Sequence, residues 1–396
     1  MQNVSTDVSQ VVAPEPTPHG TEVPVQVDAL GLRPHLAHVD GLRAVAALYV
    51  VCVHVLPRAW LPGAPRSAAL RMVAKLTSEG HFAVTAFLVI SGFCLMLPLM
   101  RSGLRLRGGS AVFFKRRFWR IAPPLYAAFL LSVAILQLPR VRLAYGYPQV
   151  NLRQVLAHAF LVQMPVPGGM LLGNGVLWSV SVECFAYLSF PLLLWLSRRF
   201  GPILPAIVFM IAGYAAIFPF RNTLLSVLQW QYLGVFALGA LAACAGYGPW
   251  EWAATVKKNV PWYSLAVACI GSVMIYCAAR GWAVAERYIA ILDLPISFAA
   301  AAVLVGAARP GASRIRGVLG SRPLAAIGLF SYSLYMIHYP LADTLCQYLL
   351  VPLRLGQGAA EAALLAIVIP IILLAAYGFY WAFERPFHQI ARRTGR

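Results

Sequence analysis

Arg43 and His54 are the residues of this chain whose types and spacing most clearly suggest chemistry. They stand eleven residues apart in HVDGLRAVAALYVVCVHV, a segment that also carries Asp40 and is otherwise apolar enough to enter a bilayer. Eleven residues of α-helix turn about 1100°, or three turns plus roughly 20°, so both side chains share a face, with Cα atoms about 16 Å apart along the axis. Ionisable groups at membrane depth are costly and usually face a bundle interior or a water-filled cavity. The segment predicts an active-site helix; a structural histidine with a snorkelling arginine is the alternative.

Two further segments carry polar stripes at helical spacing. One stripe, in LWSVSVECFAYLSFP, consists of Ser179, Glu183 and Tyr187, each four residues from the next. The other, in FSYSLYMIHYP, consists of Ser331, Tyr335 and His338 at i, i+4 and i+7. Residues at these spacings lie on one face of a helix. Such stripes also occur where polar side chains join packed helices, but two histidines, a glutamate and an arginine are a richer set than packing requires. We therefore expect three helices to turn these groups toward one site.

An arginine cluster in KRRFWRIAPPLY is the third feature. Arg116, Arg117 and Arg120 stand at the start of a predicted span. A guanidinium fork binds phosphate oxygens in bidentate fashion. A basic flank that sets membrane topology would look similar, but Arg117 and Arg120 continue into the apolar segment, beyond what topology demands. The spacing therefore favours a phosphate site.

The composition identifies the class of protein that must position these groups. Hydrophobic residues make up 60% of the chain and charged residues 11%, with a mean hydropathy of +0.72, which excludes a soluble globule. Apolar runs predict an all-α, polytopic membrane helix bundle of about ten transmembrane helices. The runs cover residues 41–57, 82–100, 119–138, 176–197, 203–220, 226–246, 261–280, 287–308, 326–350 and 360–383. Within them Asp293 and Asp343 are further carboxylates, for which structural and entrance roles are both open. The seven cysteines lack metal-type spacing, so no metal site is expected.

The distribution of basic residues predicts the orientation. With the N-terminus in the cytoplasm, the cytoplasmic segments that follow the first span hold 19 Lys and Arg and the opposite side holds 11, as the positive-inside rule requires. We therefore expect a multi-pass protein of the inner (cytoplasmic) membrane with both termini in the cytoplasm. Residues 1–35 predict a disordered cytoplasmic tail, 36–388 the membrane domain and 389–396 a basic cytoplasmic tail. The net charge of +19 then reflects topology, and no nucleic-acid partner is expected.

Five segments resemble, in order, the motifs of the acyltransferase-3 family of integral-membrane O-acyltransferases. They are HVDGLRAVAALYVVCVH, FLVISGF, RRFWRIAPPLY, LWSVSVECFAYLSFP and GLFSYSLYMIHYP, and the resemblance runs from about residue 36 to 388. It implies a bundle of ten or so helices that moves an acyl group, usually acetyl, from coenzyme A to a hydroxyl of a carbohydrate or related molecule. The sequence departs from the family's Gly-Val-x-x-Phe-Phe pattern at Thr85 and Ala86, which leaves the acyl and acceptor preferences open.

The resemblance also implies roles, residue by residue. The family's essential Arg and His fall on Arg43 and His54, its Arg-x-x-Arg on Arg117 and Arg120, its Glu on Glu183 and its second His on His338. We expect the three arginines to bind acyl-CoA, and His54, Glu183 and His338 to be catalytic. Residues of the same motifs expected to contact substrate are Asp40, Trp178, Ser331 and Tyr335. Acyl-CoA, with acetyl-CoA the expected form, is then a co-substrate, and no bound cofactor is expected.

His54 is suited to general-base chemistry because an imidazole has an unperturbed pKa of about 6.5. It would take the proton of the acceptor hydroxyl as that oxygen attacks the thioester. Either Glu183 or His338 would support its ring, and His338 or Tyr335 would donate to the developing oxyanion. Because no Ser or Cys in these motifs has the setting of an activated nucleophile, direct transfer is expected.

Two other functions would use the same intramembrane groups. One is a transporter or flippase of sugars, lipids or small acids, although the sequence shows no obvious inverted repeat. The other is a device that carries the acyl group across the membrane for a separate transferase. Surface polysaccharide, lipid-linked sugar, peptidoglycan precursor and a secreted macrolide-type metabolite all fit as acceptors. No hydrolase-like segment follows the membrane region, so no relay through an attached esterase domain is expected.

Overall fold

The computed structural model describes residues 26–27, 34–59, 80–147, 149–162, 174–220, 223, 225, 228–281, 284, 287–311 and 313–395. The predicted disorder of residues 1–35 falls almost wholly outside them. The described part of that stretch includes a two-residue antiparallel pair, β1 (Gln26–Val27) with β2 (Pro34–His35). The remainder of the described chain is built of helices, as the hydropathy pattern predicts.

The helices follow one another with short connections, and 3₁₀ or π-helical turns extend several of them. In chain order they are α1 (Ala37–Val55), α2 (His81–Met96), α3 (Gly109–Leu136), α4 (Pro139–Tyr145), α5 (Leu152–Ala159), α6 (Trp178–Phe200), α7 (Ile203–Phe220), α8 (Gln231–Tyr247), α9 (Glu251–Asn259), α10 (Trp262–Arg280), α11 (Ile289–Ala307), α12 (Arg314–Leu319), α13 (Arg322–Leu329), α14 (Ser331–Leu345), α15 (Gln357–Ala363), α16 (Ile369–Phe379) and α17 (Arg385–Arg393).

Eight helical segments in the described ranges are long and apolar enough to cross a membrane. Two bent pairs would bring the number to ten: α8 with α9, bent by 92°, and α13 with Ser331–Leu353, bent by 73°. The prediction of about ten helices agrees with this range. The ninth predicted span, 326–350, is therefore broken between Leu329 and Ser331, and α3 begins at Gly109 instead of near residue 119. The arginine cluster consequently lies about two to three turns inside a helix.

Close backbone contacts hold α1 against α12 and α13. A Cβ at Gly41 would lie 1.7 Å from the carbonyl oxygen of Leu319, and one at Gly328 would lie 2.0 Å from the carbonyl oxygen of Asp40. Packing thus explains the glycine of the DGLRA segment. The contact fixes the start of α1 and, through the continuous helix, the direction in which Arg43 and His54 point.

A second close contact joins α2 to α8. A Cβ at Gly92 would lie 2.0 Å from the carbonyl oxygen of Phe236, and one at Gly239 would lie 2.0 Å from that of Val89. Small residues that let two backbones approach are the usual basis of helix association in membranes. This contact positions α2, which carries Ser91 to the site described below.

We expect Gly92→Ala and Gly239→Ala each to lower the melting temperature of the detergent-purified protein, because an added methyl group must force two packed helices apart, at a cost of about 1–3 kcal/mol. Gly271→Ala is the matched control. Gly271 also lies within a helix, α10, but nothing lies within 4 Å of its Cβ position, and alanine is the better helix former. Melting temperatures that do not differ among the three variants would contradict the contact.

Candidate active site

The ring of His54 on α1 hydrogen-bonds the ring of His338 on α14. His54 Nδ1 lies 3.0 Å from His338 Nε2, and His338 Nδ1 lies 2.7 Å from the carbonyl oxygen of Tyr335 and 3.1 Å from that of Leu334. Because a carbonyl oxygen can only accept, the network assigns the His338 proton to Nδ1. His338 Nε2 therefore accepts from His54 Nδ1–H, and the free lone pair of His54 is on Nε2. This is the nitrogen able to take a proton.

Two neighbours define the surroundings of the His54 ring. Tyr339 packs edge-on against it, with ring centroids 5.2 Å apart. Gly80, which precedes α2, lies beside the Nε2 edge: a Cβ there would stand 3.7 Å from His54 Nε2 and 3.2 Å from Val53 Cγ1. Any larger residue at position 80 would place its side chain next to the unprotonated nitrogen.

A cavity of about 260 Å³ lies between α1, α2, α3, α6, α14 and α17. Seven of the ten predicted site residues line it: Asp40, Arg43, Arg117, Arg120, Glu183, Ser331 and Tyr335. His54, His338 and Trp178 are not among its lining residues. The structure therefore brings most of the predicted site together and sets the histidine pair apart from it.

The cavity is strongly basic. Among the residues that the structure describes, five arginines line it against three carboxylates. The arginines are Arg43, Arg116, Arg117, Arg120 and Arg392, and the carboxylates are Asp40, Glu183 and Glu384. This excess of positive charge in a concave site favours an anionic ligand. Within the described ranges no group of three or more His, Cys, Asp or Glu side chains could hold a metal ion.

The C-terminal helix contributes lining residues that the sequence motifs did not predict. Glu384, His388 and Arg392 recur every four residues and all face the cavity. Residues 389–396 are predicted as a basic tail, whereas the structure places Arg385–Arg393 in α17. Arg116 Nε donates to the carbonyl oxygen of Thr394 at 2.8 Å, which ties this end of the chain to α3. The helical period of the three residues was the signal that could have identified them.

Glu183 faces the cavity and is held by α2. Ser91 Oγ donates to Glu183 Oε1 at 3.0 Å, and the hydroxyl of Tyr187 donates to the same oxygen. No hydrogen bond among the described residues joins Glu183 to His54. Of the two residues predicted to support the His54 ring, the structure brings His338 to it.

Tyr335 connects the cavity to the histidine pair. Its ring lines the cavity, packs edge to face on Phe87 at 5.7 Å and lies 5.9 Å from the ring of His338. Its hydroxyl donates to the carbonyl oxygen of Val176 at 3.0 Å and lies 2.7 Å from Ser179 Oγ. The inner end of the cavity is thus about one helical turn from His338.

A second buried polar cluster surrounds Asp293 on α11. His81 Nδ1 lies 3.1 Å from Asp293 Oδ1, and the hydroxyl of Thr85 donates to the same oxygen. The His81 ring also stacks on Trp178 at 5.4 Å. Thr85, at which the chain departs from the family pattern, therefore has a buried carboxylate as its partner. Because His81 follows Gly80, this cluster fixes the start of α2 beside His54.

The fold and the site define a multi-pass membrane helix bundle in which a basic cavity leads toward two hydrogen-bonded histidines. The acyltransferase-3 family model, described as an acyltransferase domain, matches residues 36–383. This chain therefore belongs to the acyltransferase-3 family, and the predicted resemblance is confirmed.

Two relatives match parts of the chain. The acyltransferase MdmB of Streptomyces mycarofaciens is 30% identical over 167 residues, which cover 41% of this chain and 40% of that protein. The peptidoglycan O-acetyltransferase OatA of Listeria monocytogenes is 24% identical over 343 residues, covering 78% of this chain and 50% of that protein. The chain thus spans half or less of the length of these relatives. No solved structure shows a significant match.

The two candidates for supporting His54 differ in their expected kinetics. We expect His338→Leu to lower kcat by about 10²-fold or more, because His54 loses the acceptor that fixes its tautomer. Glu183→Gln keeps an oxygen for Ser91 and Tyr187 but removes a charge from the cavity, so it should change the KM for an anionic substrate more than kcat. Steady-state kinetics on both variants test this, and the reverse pattern would return the supporting role to Glu183.

Proposed function

We propose that this protein is an integral-membrane O-acyltransferase that moves an acyl group, with acetyl the expected one, from acyl-CoA to a hydroxyl of a carbohydrate, cell-envelope glycan or glycosylated metabolite. His54 is its general base. One observation carries this proposal: the bond from His54 Nδ1 to His338 Nε2 leaves His54 Nε2 unprotonated, on the same helix that presents Arg43 to a basic cavity.

The basic cavity suits the phosphates of coenzyme A. Arg43, Arg117 and Arg120 bind them through guanidinium forks, and Arg116 and Arg392 add charge at the same cavity. Coenzyme A is anionic at one end and carries its thioester at the far end of an extended arm. The distance of about 16 Å along α1 from Arg43 to His54 suits such an arm.

The hydroxyl of Tyr332 supports a polar ligand in this cavity. Tyr332 lines the cavity, and its buried hydroxyl has no hydrogen-bond partner among the described residues. A buried donor that lacks a partner costs free energy. A bound acyl-CoA molecule, whose oxygen atoms accept hydrogen bonds, would give this hydroxyl a partner.

The histidine pair performs the proton transfer. His54 Nε2 takes the proton of the acceptor hydroxyl as the oxygen attacks the thioester carbon. The imidazolium keeps its Nδ1–H on His338, so the ring holds its orientation through the step. The acyl group moves directly to the acceptor, with no acyl-enzyme. Asp40, Ser331, Tyr335 and Trp178 are the proposed substrate contacts around this path.

The relatives guide the proposed acceptor. The Listeria protein is named a peptidoglycan O-acetyltransferase, which supports a glycan hydroxyl as the acceptor of this chain. We place the protein in the cytoplasmic membrane with both termini inside, because basic residues concentrate on that side. The donor then enters from the cytoplasm.

Incubation of the detergent-purified protein with acetyl-CoA tests the activity directly. An acyltransferase releases free coenzyme A and transfers the acetyl group to an acceptor or to water, whereas a transporter or flippase does neither. Mass spectrometry of envelope glycans and secreted products, with and without the gene, then identifies the acceptor. A product whose mass is lower by one acyl group in the absence of the gene identifies both the acyl group and the class of acceptor.

We expect His54→Ala to abolish transfer while the protein remains folded and inserted, because the loss of an imidazole makes the segment more apolar. Release of coenzyme A and melting temperature are measured on the same preparation. Normal turnover by well-expressed His54→Ala protein would remove the catalytic assignment.

We expect Arg117→Lys and Arg120→Lys to raise the KM for acyl-CoA, since lysine keeps the charge but loses the bidentate fork. Arg393→Lys is the matched control: Arg393 is an exposed residue of α17 that does not line the cavity, so its KM should stay at the wild-type value. Variants that lower kcat at saturating donor, with KM unchanged, would exclude phosphate binding as the role of Arg117 and Arg120.

A further inference from the structure

A buried ion pair lies one helical turn beyond His54. Arg58, in the 3₁₀ turn that follows α1, donates from Nε to Asp343 Oδ1 at 2.6 Å, and its Nη2 pairs with the same oxygen. The hydroxyl of Tyr147 donates to Asp343 Oδ2 at 2.5 Å. Burial and the nearby carboxylate raise the pKa of Tyr147, which keeps the phenol protonated as a donor. Side-chain exposure is 11% for Arg58 and zero for Asp343.

Aromatic rings fix the same guanidinium beside the histidines. Arg58 Cζ lies 4.9 Å from the ring centroid of Tyr339 and 5.8 Å from that of Tyr145. Tyr339 is also the ring that packs edge-on against His54. Arg58 and His54 thus contact the same side chain, the ring of Tyr339.

The hydrogen bonds leave the expected oxyanion donors occupied. His338 uses Nε2 to accept from His54 and Nδ1 to donate to backbone carbonyls. The Tyr335 hydroxyl donates to the carbonyl oxygen of Val176. Acyl transfer develops a negative oxygen that requires a preorganised donor. Neither residue offers one without breaking an existing bond.

We propose that Arg58 is a further catalytic residue, which stabilises the oxyanion of the tetrahedral intermediate while Asp343 and Tyr147 hold its guanidinium in place. This inference rests on the proposed acyltransferase function. Asp343 engages Nε and Nη2 of Arg58, so Nη1 is the nitrogen assigned to the oxyanion. Asp343 and Tyr147 are positioning residues.

Acyl transfer from the thioester to the acceptor alcohol proceeds through a tetrahedral intermediate. The acceptor oxygen forms a bond to the thioester carbon, its proton passes to His54 Nε2, and the carbonyl electron pair moves onto the oxygen that faces Arg58. The pair then returns, the carbon–sulfur bond breaks, and the departing thiolate takes the proton from His54. The products are an ester and free coenzyme A, and no other reactant is needed.

The location of Arg58 suits this role for a physical reason. A fixed charge in a water-poor site stabilises developing charge without reorganising at the moment of reaction. An arginine near a helix end would otherwise extend toward the membrane surface. The buried carboxylate of Asp343 holds it at the depth of the histidines.

The test is a charge-free replacement of the pair, Arg58→Gln with Asp343→Asn, which avoids leaving one buried charge unpaired. We expect kcat for acetyl transfer to fall about 10²- to 10³-fold, the loss seen when one oxyanion donor is removed, with the KM for acetyl-CoA nearly unchanged. Asp343→Asn alone should lose less. Arg140→Gln is the matched control, since Arg140 also lies over a tyrosine ring, that of Tyr348, but lies outside the proposed site and should keep wild-type kcat.

A normal kcat in the double variant would overturn the proposal, as would a lowered melting temperature with normal kcat in the folded fraction. If the double variant does not fold, Arg58→Lys tests the role of Arg58 as an oxyanion donor. Lysine keeps the charge, but it lacks the planar fork that pairs with Asp343 while a further N–H is held toward the oxyanion. Its kcat should fall at least about 10-fold at unchanged KM, and an unchanged kcat overturns the role. A wild-type protein that transfers nothing would instead contradict the proposed function itself.

Discussion

The hydrogen bond from His54 Nδ1 to His338 Nε2 is the interaction on which the rest of the site depends. It joins helices 284 positions apart in the sequence, and the carbonyl bonds of His338 determine which nitrogen of each ring carries the proton. This requires α1 and α14 to be held in register within a fraction of an ångström. The glycine contacts of α1 with α12 and α13, and the break between α13 and α14, supply that placement. Small residues that let backbones touch thus help to place the first of the two helices that carry the pair.

Two polar regions lie at different positions along α1. Arg43, near its start, lines the basic cavity, and His54, near its end, is not among the lining residues. Tyr335 and Phe87 stand between the two regions. In the proposed function, phosphate binding belongs to the basic cavity and proton transfer to the histidine pair, at different positions along α1. Glu183 belongs to the first region, with Ser91 and Tyr187 as its partners.

Helical periodicity predicted the features that one helix determines. It gave the common face of Arg43 and His54, the continuity of α1 and the stripe of Ser331, Tyr335 and His338. Contacts between helices could not be predicted in this way, because they depend on crossing angles that no single segment encodes. Spacing alone therefore suggested neither the pair of Glu183 with Ser91 nor the pair of Arg58 with Asp343. From the sequence alone, Arg392 belongs to the basic tail that the membrane topology explains. A basic residue after the last span has the same sequence pattern whether its helix extends into the cytoplasm or lines a cavity.

A double-mutant cycle on kcat measures whether His54 and His338 act as one unit. The cycle compares His54→Gln, His338→Leu and the double variant with the wild type at saturating acyl-CoA. If His338 acts only through the His54 ring, His338→Leu should change kcat by less than about threefold once His54 has been replaced, so the losses are strongly non-additive. Losses that multiply, with each substitution as costly in the double variant as alone, would show that the two histidines act independently and would contradict a joint role in proton transfer.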